Sequence, residues 1–289
     1  MAEACCPASC GELLQGWLLG GEKLISCPIN WFSCVSVSEG TPIRHERQRM
    51  RQMVNLLLDY WQIPLKFSAA LRIEYQSAIP LAKGMASSTA DIAATAHATA
   101  KLLGKSLNSE TLAQLCVKLE PTDSTIFEQL TLFDHLTAQT QIPFDWQPDV
   151  DILLLESPQI ILTEKFHQQD HRSQLLDNAS LLQQAWEKFR AANQQHDNYR
   201  LGEACTLSAI ANQSILPKPC FEQLRDLVEQ AGIYGLNVAH SGSVVGLLFN
   251  SHHHDADYLH WWLHQKKMTE HYPQIHHVKL IAGGNITLP

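Results

Sequence analysis

The chain has 289 residues, 45% of them hydrophobic and 17% charged, with 21 basic against 29 acidic side chains and a net charge of −8 with histidine neutral. That length buries a sizeable core in one large domain or two smaller ones, and 14 glycines and 13 prolines without a repeat exclude collagen-like and disordered chains. The acidic balance argues against a nucleic-acid partner, no apolar run approaches the roughly 20 residues of a membrane span, and MAEACCPASCGELLQG lacks the pattern of a secretion signal. A cytoplasmic protein without a membrane partner is expected.

In chain order, LLQGWLLGG reads as a strand running into a Gly-Gly turn, and WFSCVSVSE alternates with the period of a half-buried antiparallel strand. A helix is expected over 44–60, where the basic run RHERQRMR precedes Met53, Leu56, Leu57 and Tyr60 on one face. The run reads as a solvated polar side and receives no function. LRIEY at 71–75 is a strand, and 87–103 is an alanine-dense helix with hydroxyls at its start and Gly104 at its end. A second helical piece covers 112–119. The two prolines of PFDWQPD at 143–149 place a domain boundary, giving units 1–148 and 149–289.

Beyond the boundary come a strand in VDILLLE, a long helical region over 173–214 and a helix at 219–231 with Pro219 at its start and Gly232 past its end. Strand, turn and strand follow in LNVAHSGSVVGLLFN, then a Trp- and His-rich helix at 255–266 and a last strand, HVKLIA. Hairpins mixed with helices indicate an α+β fold rather than a doubly wound one. The eight cysteines are expected as reduced thiols, because the chain is too long for a disulfide scaffold. Neither Cys5, Cys6 and Cys10 nor His252, His253 and His254 have zinc-site spacing, so the three histidines read as a solvent-facing turn.

Three segments carry chemistry. Between a strand and a helix, Ile79–Ala90 offers glycine, small residues and three hydroxyls, so backbone N–H groups can converge on a phosphate at a helix N-terminus; an ordinary helix N-cap would use the same residues. In LEPTDST, Glu120 and Asp123 stand three residues apart across a proline turn. Together they can supply a cation ligand and a base for phosphoryl transfer, although a surface turn would read alike. The third segment, Ala239–Gly246, is a loop between two strands with room for close backbone approach, as in any β-hairpin turn.

The run Pro80-Leu81-Ala82-Lys83-Gly84-Met85-Ala86-Ser87-Ser88-Thr89-Ala90 closely resembles the second motif of the GHMP kinases, departing from it at Met85 and Thr89. Pro7–Gly16 and Ala239–Gly246 resemble the family's first and third motifs, so the resemblance spans nearly the whole chain. It implies an N-terminal nucleotide-binding domain and a ferredoxin-like C-terminal domain. It further implies ATP held by Pro80, Lys83, Gly84, Met85, Ala86, Ser87, Ser88 and Thr89 with Ser241, Gly242 and Ser243, Mg²⁺ held by Ser87 and Glu120, and Asp123 as the proton acceptor.

PASCGELLQG, SCPINW and LEPTDSTIF resemble the branch of the family that phosphorylates free L-threonine for the nucleotide loop of cobalamin, so L-threonine is the implied acceptor. A relative acting on homoserine or an isoprenoid alcohol is the alternative, as is a silent nucleotide-binding regulator, against which both carboxylates argue. Glu12, Gln15, Asn30 and Trp31 are candidates for the acceptor pocket. Some relatives carry a basic residue in the first motif, whereas the first Lys or Arg here is Lys23. Either Asp123 acts alone, or Lys83 or another group supplies the charge.

Overall fold

The computed structural model describes residues 1–161, 166 and 168–286. It opens with a long hairpin, β1 (Ala2–Leu18) and β2 (Gly21–Glu39). The turn is Leu19-Gly20 rather than Gly-Gly: both residues have positive φ, the twist a two-residue hairpin needs. Helix α1 (Gln48–Tyr60) and β3 (Leu71–Ser77) follow, then α2 (Ser87–Leu102) and α3 (Ser109–Val117). Two short strands, β4 (Leu130–Phe133) and β5 (Gln141–Phe144), complete the first half.

The second half runs β6 (Asp151–Glu156), α4 (Arg172–Asp177), α5 (Ala179–Gln195), α6 (Asn198–Asn212), α7 (Phe221–Ala231), β7 (Gly235–Val238), β8 (Val245–Phe249), α8 (Ala256–Gln265) and β9 (Gln274–Lys279). The strands join in one sheet, β5-β4-β2-β1-β7-β8-β6-β9, with β3 also on β2. Its last four strands are antiparallel neighbours in the order and connectivity of a ferredoxin-like unit, so the α+β reading holds. Among the described residues no helix is long and apolar enough to cross a membrane.

Helix α2 is the mount for the site. Its alanines from Ala90 to Ala100 are all buried, and small side chains let its axis lie close against the central strands. Its one carboxylate, Asp91, is 2% exposed and is matched by the Ser33 hydroxyl and the Arg47 guanidinium. Burial still pushes the Asp91 pKa up, with both partners opposing the shift.

The basic run is therefore only in part a solvated face: Arg44, His45 and Gln48 are exposed, but its other charged residues have partners. Arg47 pairs with Asp91 and lies over the Tyr75 ring, Arg51 forks onto Glu46 and the carbonyls of Ser68 and Leu71, and Arg49 lines a cleft at the start of α2. Of the expected apolar face of α1, Met53 and Leu57 are buried and Leu56 half-buried, but Tyr60 is exposed and Met50, Val54 and Leu58 complete the face instead. Periodicity could not report that the opposite face meets β3 and α2.

The helical region at 173–214 is three helices. Asn178 separates the first two, and His196 in the left-handed region ends the second; Asp197 then caps the third by accepting from the N–H groups of Tyr199 and Arg200. The last strand begins three residues earlier than expected, at Gln274.

The all-thiol expectation is corrected. The register of β1 on β2 sets Cys5 opposite Cys34, with Cα atoms 4.1 Å apart, and the two form a disulfide. The other six cysteines are free, and burial raises the thiol pKa of Cys6, Cys10, Cys27, Cys116 and Cys205. His252, His253 and His254 do lie on a surface turn after β8.

Candidate active site

A cleft of about 340 Å³ opens at the start of α2, lined on one side by residues of the loop before that helix and on the other by Leu119, Glu120, Pro121 and Asp123. Ala82, Gly84 and Ala86 all take positive φ, which coils the loop tightly before the helix begins. The residue at the N-cap is Ala86, left-handed and without a side-chain cap. This removes the ordinary N-cap reading. First-turn N–H groups have no partner within a helix, and here no capping side chain takes one, so the positive end of α2 faces the cleft lined by Ser87, Ser88 and Thr89.

Two backbone ties hold the loop. On one side the Ser9 N–H of β1 donates to the Met85 carbonyl at 3.0 Å; on the other the Ser243 N–H donates to the Lys83 carbonyl at 3.0 Å. Gly84 and Gly242 meet face to face: a Cβ built on Gly242 would lie 2.1 Å from the Lys83 carbonyl oxygen and 2.3 Å from Gly84 Cα. These glycines are needed for the contact between the second and third motifs. Of the third motif Ser241 lines the cleft, while the Ser243 hydroxyl donates to the Gln159 carbonyl at 2.9 Å.

The expected phosphate-loop residues separate into two groups. Gly84, Met85, Ala86, Ser87, Ser88 and Thr89 line the cleft, with the Met85 side chain in the core. Pro80 and Lys83 do not line it. Lys83 is 8% exposed and its ammonium turns to β6, donating to the carbonyls of Ser157 and Gln159 and lying 3.6 Å from Glu156. It is a strut between two segments, and Asp123 does not receive its charge.

Asp123 is held by direct contact with Thr89 in the first turn of α2. The Thr89 hydroxyl donates to Oδ2 at 2.9 Å, and the Asp123 N–H donates back to that hydroxyl at 3.3 Å. Burial raises the Asp123 pKa, opposed by the Thr89 hydrogen bond and by His240. Glu120 pairs with Arg49 Nε at 3.4 Å, so a cation from the basic run reaches the cleft.

Glu12 is the candidate acceptor residue that does line the cleft, 3% exposed, with Oε2 accepting from the His240 N–H at 2.5 Å. Burial pushes its pKa well above the usual carboxylate range, and the nearby Asp123 charge adds to the shift. Gln15 is instead a clip in the core: its amide donates to the Val238 carbonyl and accepts from Asn212. Asn30 accepts from the Lys279 N–H and Trp31 meets His276 edge to face, both outside the cleft.

Lys218 is a basic group without a motif to announce it. It is 5% exposed, donates to the Leu216 carbonyl at 3.1 Å, and is pushed down to about 7 by burial, with the Glu12 charge opposing. It supplies charge to Glu12, the carboxylate beside Asp123. Its burial comes from the fold of 213–221 behind β1, which no local pattern around Pro217 and Pro219 discloses.

A lysine whose folded pKa lies below its unfolded value of about 10.4 binds fewer protons folded than unfolded between those values, so its contribution to stability rises with pH across that window. The buried thiols act with the opposite sign above about pH 8.5. Denaturant unfolding of wild type and Lys218→Met is therefore compared between pH 7 and 8.5. The wild type should gain stability on the order of 1 kcal/mol relative to the variant over that interval. Parallel curves would contradict the assignment.

A family model described as the GHMP kinases N terminal domain matches residues 48–129. An L-threonine kinase from Citrobacter freundii is 56% identical over 284 residues, covering 98% of this chain and 99% of its own, and one from Salmonella typhimurium is 53% identical, covering 98% and 95%. A homoserine kinase from Halalkalibacterium halodurans is 25% identical over 70% of this chain. Among solved structures, a mevalonate diphosphate decarboxylase from Staphylococcus aureus superposes with a TM-score of 0.73 at 15% identity over 100% of this chain and 98% of its own. A mevalonate kinase gives 0.68 at 14%, covering 98% and 100%; both show likeness of fold alone. The uncapped α2 N-terminus, the two loops closed on it by paired glycines, and near full-length identity above 50% agree: the chain belongs to the GHMP kinase family.

Proposed function

We propose that the protein transfers the γ-phosphoryl group of ATP to the side-chain hydroxyl of free L-threonine, giving O-phospho-L-threonine for the nucleotide loop of cobalamin, in the cytoplasm. The observation that carries the reaction is Asp123, fixed by Thr89 of the first turn of α2 beside that helix's open N-terminus. The likeness to two L-threonine kinases over nearly the whole chain supports the acceptor. We keep the division at 148/149: the first unit carries the phosphate loop and both carboxylates, the second the loop of Ser241–Ser243.

The N–H groups at the start of α2 bind phosphate oxygens, and the glycine contact holds that cradle rigid. Ser87 and Glu120 both line the cleft and offer hard oxygen donors, the class that suits Mg²⁺. Bound there, the cation neutralises charge on the phosphates. Arg49 neutralises Glu120 and lies within reach of the same charge.

Asp123 accepts the proton of the attacking hydroxyl, and its raised pKa makes it a stronger base than an exposed carboxylate. Thr89 keeps Oδ2 oriented, leaving Oδ1 for the acceptor. Glu12, held by the His240 N–H, lies near Asp123, and Lys218 acts on Glu12.

The experiment is phosphate transfer to threonine, serine and homoserine under identical Mg-ATP conditions. Serine should be roughly 10- to 200-fold poorer in kcat/KM, the usual worth of a missing methyl in a fitted pocket. Homoserine carries its hydroxyl one carbon farther out and should lose more in kcat than in binding. Homoserine equal to or better than threonine would reject threonine and leave the kinase reading standing.

A further inference from the structure

A second cavity, of about 450 Å³, meets the phosphate cleft at Pro121, which lines both. Its wall carries opposite charges. Glu22, from the start of β2, accepts from His240 Nε2 at 2.8 Å, and His135 packs edge to face on His240, with one ligand atom each of Glu22, His135 and His240 within 4.8 Å of one another. Beside it, Arg172 lies with its guanidinium over the ring of Trp17, the cross-strand partner of Glu22, at 5.3 Å. Among the described residues no carboxylate lies within ion-pair distance of that guanidinium.

We propose that this cavity selects a free amino acid as the acceptor, Glu22 receiving its α-ammonium and Arg172 its α-carboxylate; the inference rests on the threonine reading above.

The chemistry follows from what each group offers. A free amino acid presents both charges two bonds apart, and a pocket that recognises it needs an acceptor-rich corner and a planar donor fork. Guanidinium takes a carboxylate through two parallel N–H bonds, and its stack on Trp17 leaves its edge N–H groups for that contact.

Glu22 stands beside two imidazoles, so the corner offers more than one lone pair to the three donors of an ammonium. Of the other carboxylates in the wall, Asp134 is already committed to Lys23 and to the N–H groups of Leu136 and Thr137, and Asp170 accepts from the Arg172 N–H at 2.9 Å. His240 links this corner to the reacting hydroxyl. Its ring meets Glu22, its N–H meets Glu12, and its charge is felt at Asp123. An amino acid with its ammonium at Glu22 can extend its side chain past Pro121, which lines both cavities, toward Asp123 in the phosphate cleft. Trp17 and Leu175, also in the wall, supply apolar surface for a methyl group.

The test measures steady-state kinetics of the full-length enzyme with threonine and with threonine methyl ester, which keeps the ammonium and lacks the carboxylate charge. The ester is read as a substrate or as a competitive inhibitor. Glu22→Gln should raise the threonine KM roughly 10- to 100-fold, the usual worth of a lost charge-assisted hydrogen bond, with the ATP KM unchanged. Arg172→Gln should raise the threonine KM similarly and leave the ester within about twofold, since the ester makes no use of the guanidinium charge.

An unchanged threonine KM in Glu22→Gln, or an equal shift for threonine and ester in Arg172→Gln, would overturn the proposal. So would one zinc ion bound per chain in wild type and lost in Glu22→Gln with threonine kinetics intact, which would make the corner a metal site. A wild type that phosphorylates homoserine but not threonine would instead overturn the function on which the inference rests.

Discussion

Asp123→Asn should fold, bind ATP and threonine, and turn over roughly 10² to 10⁴ times more slowly than wild type, the usual contribution of a positioned general base. Asparagine keeps the shape and can still accept from the Thr89 hydroxyl that holds Oδ2 now, so the loss reports proton acceptance rather than architecture. Single-turnover measurements separate binding from chemistry: both KM values should move little while kcat falls. Glu120→Gln should show a different pattern. It removes the charge from the proposed cation ligand and one of the partners of Arg49, so activity should be recovered in part at raised Mg²⁺. A near-normal kcat in Asp123→Asn, with Glu120→Gln insensitive to Mg²⁺, would require the two roles to be exchanged or abandoned.

Gly242→Ala should lower kcat/KM for ATP by about 10²-fold, although Gly242 need not touch the nucleotide. The added methyl would occupy the position of the Lys83 carbonyl and of Gly84 Cα, both backbone, so no rotamer change can relieve the overlap. The loops of Ala82–Ala86 and His240–Ser243 must part, and the Ser243 N–H bond to Lys83 goes with them. Displacing the cradle by even 1 Å spoils alignment with Asp123. Gly84→Val should act the same way, with left-handed φ strain added. The sequence suggests that a side chain at Gly84 would collide with phosphate; the structure shows that it collides with the third motif. Unchanged ATP kinetics in a folded Gly242→Ala variant would mean that the two loops are not mechanically coupled.

The parts of the site that could be read from sequence are those whose chemistry is local. The alanine run that fixes α2, the small residues before it, and two carboxylates across Pro121 all sit within short windows, where composition and spacing determine the outcome. Tertiary placement decided the rest. Lys83 and Gln15 have the right residue types in the right motifs, yet β6 takes the first and the Asn212–Val238 layer takes the second. Arg49, Glu22 and Lys218 come from segments with ordinary signals, and only the tertiary fold brings them to Glu120, His240 and Glu12.

The missed strands have a similar cause. β5 reads QIPF, and its proline argues against a strand; at the sheet edge the missing N–H points away from the ladder and costs nothing. The Cys5–Cys34 disulfide depends on register, which two long strands with bulges near Pro7 and Glu12 do not reveal in one dimension. One boundary was available. His196-Asp197-Asn198 carries a left-handed stop followed by a capping aspartate, a signal hidden by reading 173–214 as continuous.

The most direct test is to incubate the purified protein with Mg-ATP and L-threonine and follow both products by phosphorus NMR. The account predicts one equivalent of ADP for each O-phospho-L-threonine formed, and no more than a small fraction of that phosphoryl transfer in Asp123→Asn. ADP formed without phosphothreonine, or phosphothreonine formed equally well by Asp123→Asn, would contradict it.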